Sequence, residues 1–150
     1  MDLRTELLTL LERGDVEAFN EVARKRRQIV DLSGADLTAA RLEGVDLSGV
    51  RLDRARLVRA HLAAADLEGA SLRFANLEGA DLEGANLSRA NLYNAYLAEA
   101  RLEGACLLGA DITAAVFPSD VRAEEIRLAV DRGTRLRHDP LVALLRRLGR

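Results

Sequence analysis

The sequence predicts an all-β solenoid, a square coil with a short helical segment at each end, and three observations predict it. A large apolar residue recurs every five positions at 18 successive places, as Leu from Leu32 to Leu107 and then as Ile112 and Phe117. The residue two places before it is alanine in 15 of the 18 units, with Val30, Val45 and Val50 as the exceptions. Glycine stands two places after it eight times, at 34, 44, 49, 69, 79, 84, 104 and 109.

The first segment, residues 1–29, precedes the repeat. Leu3, Leu7, Leu10 and Leu11 fall on one helical stripe that stops near Gly14. Asp15 then suits the N-cap of a second short helix that turns Phe19, Val22 and Ala23 inward. The run Arg24-Lys25-Arg26-Arg27 reads as the solvated last turn of that helix, where cations complement the helix dipole.

The second segment, residues 30–118, holds the repeat. A period of five suits neither regular element. On a helix each step of five rotates the leucine by roughly 140° from the last, so no stripe forms. On a flat strand an odd step throws each leucine to the opposite face. Within one unit, however, the alanine and the leucine lie two apart and share a strand-like face. If the chain turns a corner over the next two residues, every alanine and leucine points inward. The glycines stand at those corners, where a tight turn favours a residue without a side chain.

The units "ADLEG" and "ANLSR" resemble the pentapeptide-repeat family, whose signature is A(D/N)Lxx, and the resemblance runs from Val30 to about Pro118. It implies a right-handed quadrilateral β-helix with four units per coil. Eighteen units then make about four and a half coils, and at ~4.8 Å per stacked strand the shaft stands roughly 22 Å tall. Under this stacking Leu32, Leu52, Leu72, Leu92 and Ile112 form one ladder of the core. Each coil covers only its neighbours, so both tips of the shaft need caps.

The third segment, residues 119–150, supplies two helical patterns. "SDVRAEEIRLAVDRG" offers Ser119 or Asp120 as N-cap, Val121, Ile126, Leu128, Ala129 and Val130 as apolar members, and Gly133 as terminator. "DPLVALLRRLGR" offers Asp139 as cap and Pro140 in the first turn, with Leu141, Leu144, Leu145 and Leu148 on one face. Two roles suit that last helix: covering the open end of the shaft, or pairing with a second copy to make a homodimer. C-terminal dimerisation is common among the topoisomerase-protecting members of the family it resembles.

Composition excludes several function classes. Twenty-two basic against 24 acidic residues give a net charge of −2, which speaks against direct nucleic-acid binding of the basic kind. A lone cysteine, Cys106, fits a reducing compartment, and no stretch approaches the ~20 apolar residues of a membrane span. A cytoplasmic protein is expected. Two histidines and one cysteine give little for catalysis. Stacking by 20 puts outward His61 between Arg41 and Asp81, as a surface ion pair. Cys106 sits beside Asn86 with no cationic neighbour. No metal-ligand spacing or phosphate loop is present, so neither enzyme activity nor a cofactor is expected.

Surfaces remain. Counting faces from the unit centred on Leu32, faces three and four collect Glu43, Asp46, Asp66, Glu68, Asp81, Glu83 and Glu103 against Arg41, Arg89 and Arg101, a net of −4. Faces one and two carry Arg51, Arg54, Arg56 and Arg59 within half a turn. Arg73, Phe74, Tyr93 and Tyr96 are stacked next to them. Arginine and tyrosine are residues that interface hot spots prefer, so this side is expected to bind a protein partner. The resemblance offers an alternative. Some family members imitate the DNA duplex and protect DNA gyrase or topoisomerase IV from quinolones and other inhibitors. A 22 Å length of B-DNA presents roughly 13 charges, whereas this shaft nets −5. Charge does not favour mimicry.

Overall fold

The computed structural model describes residues 1–25, 28–136 and 148. Helix α1, Leu3–Arg13, is capped by Asp2, whose side chain accepts from the Thr5 N–H, and ends on Gly14 at φ 71°. Helix α2, Val16–Arg24, is capped by Asp15. After the repeat comes α3, Ala123–Arg132, ending on Gly133 at φ 68°.

Between the helices the chain winds into a coil with a 20-residue register. Parallel bridges join Asp31 to Arg51, Arg51 to Ser71, Ser71 to Asn91 and Asn91 to Asp111, and the other three faces follow the same step. Each side of the square is a single bridged residue rather than an extended strand, because a corner arrives every five residues and leaves no length for more.

The five-residue unit accounts for its own backbone donors, which is why the period works. Around Leu72 the N–H of Leu72 donates to Asn91 O at 2.8 Å, and that of Ser71 donates to Val50 O at 3.0 Å. The corner N–H of Phe74 reaches Tyr93 O at 2.9 Å, and the next alanine, Ala75, closes the turn on Leu72 O at 3.1 Å. Three donors thus go to neighbouring coils and one to the turn. The fifth, on the residue after the leucine, is taken where Asp or Asn stands just before the leucine. Asn91 Oδ1 accepts from the Tyr93 N–H at 3.0 Å, and Asp36 Oδ1 from that of Thr38 at 3.1 Å. Where Asp or Asn precedes the leucine, it is therefore a turn cap.

The turn has the pattern of type II, with positive φ at its third residue. All 17 such corners from 34 to 114 lie between φ 55° and 73°, although nine of them are not glycine. The sequence predicts glycine at the tight corners. The fold imposes that conformation on alanine, arginine, asparagine, glutamate and phenylalanine as well.

Inside, the leucines and alanines fill the shaft. Leu32, Leu52, Leu72 and Leu92 are wholly buried, whereas Ile112 is only partly so. The ladder is therefore sealed over four rungs and thins at the fifth, above which no further unit lies.

The lower tip is closed by side chains that substitute for a missing coil. Leu7, Leu11 and Phe19 are fully buried against it. Arg4 donates to the carbonyls of Asp31 and Ser33 at 2.7 and 2.9 Å, and Asn20 Oδ1 accepts from the Asp46 N–H at 2.8 Å. At the upper tip α3 and the residues after it cover faces three and four. The Gly109 N–H donates to Val130 O, and the Gly104 N–H to Leu136 O. Helix α3 begins later than expected. Arg122 occupies the N-cap position but its side chain does not cap the helix, and Asp120 is buried in the preceding turn. Leu128, expected inward, is 38% exposed because the helix meets the shaft through Ile126 and Ala129. The expected helix from Asp139, with Leu141, Leu144 and Leu145, lies outside the described residues, as do Arg26, Arg27 and His138. Leu148 is described and exposed.

Candidate protein-interaction surface

Corners and face centres decide which side chains meet. The corner between faces one and two stacks Asp53 and Arg54, then Arg73 and Phe74, then Tyr93 and Asn94. Because the Arg54 N–H bonds to Arg73 O and the Phe74 N–H to Tyr93 O, the side chains of successive coils are held in register. The Arg54 guanidinium carbon stands 5.2 Å from the Phe74 ring centre, a cation–π distance. Phe74 meets Tyr93 edge to face, with centroids 5.5 Å apart and planes at 78°. Phe74, Tyr93 and Tyr96 are all more than one third exposed. Tyr96 lies at the centre of face two, in register with Asn76 below and Val116 above.

The arginines divide into two groups. Arg51 lies 3.5 Å from Asp31 and 3.9 Å from Asp53, and Arg56 lies 3.5 Å from Asp36. Those two are engaged by carboxylates. Asp53 is further occupied by the Ser71 hydroxyl and the Arg73 N–H. Among the described residues no carboxylate pairs with the guanidinium of Arg54, Arg59 or Arg73. The Arg59 side chain lies across Gly79, with its Cγ 3.3 Å from where a β-carbon would stand there. The structure thus brings Arg54, Phe74 and Tyr93 into one stack, and sets Arg59, Arg73 and Tyr96 around it.

The acidic residues of faces three and four are largely occupied. Arg24 reaches Asp46 at 3.8 Å, Arg89 reaches Glu68 at 3.3 Å, and Arg101 holds both Asp81, at 3.6 Å, and Glu83. Asp66 accepts from the Glu68 N–H and from Asn86. Glu43 lies 3.6 Å from Nδ1 of His61. That contact corrects the expected pairing of His61 with Asp81, which Arg101 claims instead. Glu103 completes the set on the next coil up, at the same corner as Glu83.

Cys106 also differs from expectation. Burial pushes its thiol up, but the Ser88 hydroxyl at 3.2 Å, the Leu108 N–H and the charge of Arg135 together hold it below the ordinary thiol value. Arg135 was invisible in the repeat register because it arrives from beyond α3. No group of His, Cys, Asp or Glu among the described residues is arranged to hold a metal.

Sequence reasoning found the aromatic and basic clusters, since both follow from the 20-residue step. It missed the turn-capping role of Asp and Asn, which separates scaffold polar residues from free ones. That signal was present in the regular Asp or Asn before the leucine. The units at 51, 56 and 61 form one of two runs of three that lack it, and they lie in the coil that carries half of the shaft's arginines.

Comparison with known proteins follows the same boundaries. The pentapeptide-repeat family model matches eight copies over residues 31–69 and 80–117, half of the chain. The chain is a pentapeptide-repeat protein. Among solved structures, the pentapeptide-repeat protein alr5209 from Nostoc PCC 7120 is 31% identical. The match covers 79% of this chain and 93% of that one, with a TM-score of 0.65. HetL from Nostoc sp. strain PCC 7120, a pentapeptide-repeat protein involved in heterocyst differentiation regulation, is 38% identical. That match covers 62% of this chain at a TM-score of 0.60, but this chain spans only 43% of HetL. QnrB1, a plasmid-mediated fluoroquinolone resistance protein, matches at 25% identity over 80% of this chain and 84% of its own. Its TM-score of 0.30 is too low for an argument from structure. No curated protein matches the chain. Among the described residues no helix is long and apolar enough to cross a membrane.

Proposed function

We propose that this pentapeptide-repeat protein is a non-catalytic interaction module, a right-handed shaft of four and a half coils that docks a protein partner in the cytoplasm. The docking side is face two with its flanking corners. One observation carries the reading. Arg54, Phe74 and Tyr93 form an exposed stack in register, beside guanidiniums of Arg59 and Arg73 that no carboxylate of the described residues neutralises. Arg51, Arg56, Arg89 and Arg101, by contrast, are spent on the protein's own acids, and those contacts stabilise the surface rather than advertise it. A rigid platform also lowers the entropic cost of binding, because its side chains are already held by the ladder.

Catalysis finds little support in the geometry, since leucine fills the interior and the outward polar groups are spread along ladders. The C-terminal segment serves as a cap or as the seam of a homodimer in this reading. A second reading, imitation of DNA toward gyrase or topoisomerase IV, rests on the acidic faces three and four. Pairing of Asp46, Glu68, Asp81 and Glu83 with arginines weakens it, because paired acids present little of the uniform field that a duplex offers.

Affinity capture from lysate of the producing cells tests the docking reading. The combined variant Arg54→Glu with Tyr93→Ala should lose a partner that the parent protein retains, with unchanged circular dichroism. An identical set of captured proteins overturns it. Under the docking reading the protein leaves a gyrase supercoiling reaction unaltered, with or without a quinolone. Inhibition or protection at micromolar protein would transfer the function to the acidic faces.

A further inference from the structure

The docking side is graded along the axis of the shaft. Its second coil is basic, with Arg54 and Arg59 paired to no carboxylate of the described residues. The third is mixed, with Arg73 beside Phe74, and the fourth is aromatic, with Tyr93 and Tyr96. Beyond it stands exposed Val116. At ~4.8 Å per coil, the change from guanidinium to aromatic ring takes roughly 10 Å.

We infer that the partner presents an acidic segment whose carboxylates and apolar side chains are separated by that same distance, lying along the axis with its acids on Arg54, Arg59 and Arg73 and its apolar residues on Tyr93 and Tyr96. This rests on the docking reading and gives it a chemistry. Roughly 10 Å is about three residues of extended chain, or two turns of helix. Charge complementarity selects the acid, because Arg54, Arg59 and Arg73 meet no carboxylate among the described residues, while Arg51 and Arg56 already have theirs. Phe74 fixes the order of the two ends. Its ring is covered on one side by Arg54 and touched at the other by Tyr93, so it separates the cationic from the aromatic part of the surface. A nucleic-acid strand would also find arginines and stacking rings here, but it would meet Asp53, Glu78 and Glu99 interspersed among them. Repeated phosphates tolerate such neighbours poorly, whereas a segment with a few placed carboxylates avoids them.

Fluorescence anisotropy with a dye-labelled peptide, Glu-Asp-Glu-Asp-Gly-Leu-Phe-Leu, tests this on the full chain. Saturable binding should weaken about tenfold in the Arg54→Glu, Arg73→Glu variant and should fall as salt rises. Arg89→Glu, on a distant corner and already paired with Glu68, should leave it unchanged. A peptide with serines in place of Leu-Phe-Leu should bind about tenfold more weakly, because it forfeits the aromatic end. Absence of binding at millimolar peptide overturns the inference, and so does equal binding by the serine peptide or by the double variant. Tighter binding of labelled oligothymidylate would replace it with recognition of nucleic acid. If the peptide fails while the captured partner is still lost in the Arg54→Glu, Tyr93→Ala protein, the docking reading survives and only the acidic chemistry falls.

Discussion

Asp36 and Asp111 each hold the N–H of the residue two places on, and each also accepts from a threonine hydroxyl or amide in that turn. The Thr38 hydroxyl first, and then its backbone N–H, holds the Asp36 carboxyl below the usual carboxylate range, and Thr113 does the same for Asp111. A depressed folded value means that the ionised form stabilises the fold. That contribution is complete above an ordinary Asp value of about 4 and is lost as pH falls through the lower folded value. The melting temperature should therefore hold steady from neutral pH to about 5 and decline below that. Asp36→Asn with Asp111→Asn keeps both caps while removing both titrations, so it should flatten the decline. An equal decline in the variant would remove these carboxyls as its cause. Corners offer the opposite kind of test. Ala64 is exposed and held at φ 56°. Ala64→Gly relieves that conformation and should raise stability by about 1 kcal/mol in a urea titration. A loss of stability would show that the alanine side chain contributes more than its backbone costs.

At the scale of the element, a coil owes its persistence to inward leucines and to the ladder above and below. Leu82 is wholly buried in the middle of the shaft, and its N–H and carbonyl are both bonded. Leu82→Ala should cost about 2–5 kcal/mol, the range for a cavity in a packed interior. Ile112→Ala should cost clearly less, because that side chain is only partly covered. Matched losses in chemical denaturation would mean that the upper tip is as well sealed as the centre. The shaft was legible in the sequence because one local rule, repeated 18 times, determines it. The tips were less legible. Helix α1 and Gly14 could be read from the leucine stripe and the terminator, but the use of Arg4 and Asn20 to satisfy the first coil could not. Those contacts depend on how a helix docks, and no periodicity encodes them. Asp120 shows the same limit from the other side. It looks like an N-cap in sequence but is buried in a turn before α3.

For the whole molecule, the pentapeptide repeat leaves only the outside for biology, and the outside is where sequence and structure part company. Stacking by 20 placed Arg51, Arg54, Arg56 and Arg59 in one cluster. In the fold Arg51 and Arg56 are bound to Asp31 and Asp36 while Arg54 lies over Phe74. Side-chain pairing of this kind is decided by reach and rotamer, which residue spacing does not specify. The account depends on a shaft that stays closed while its surface does the work, so amide hydrogen exchange tests it most directly. Amides of the central coils, from Leu52 to Leu97, should exchange together and only through global unfolding, while those of Ile112 and Phe117 exchange sooner. Rapid or patchwise exchange across the central coils, approaching the rate of an open chain, would contradict it.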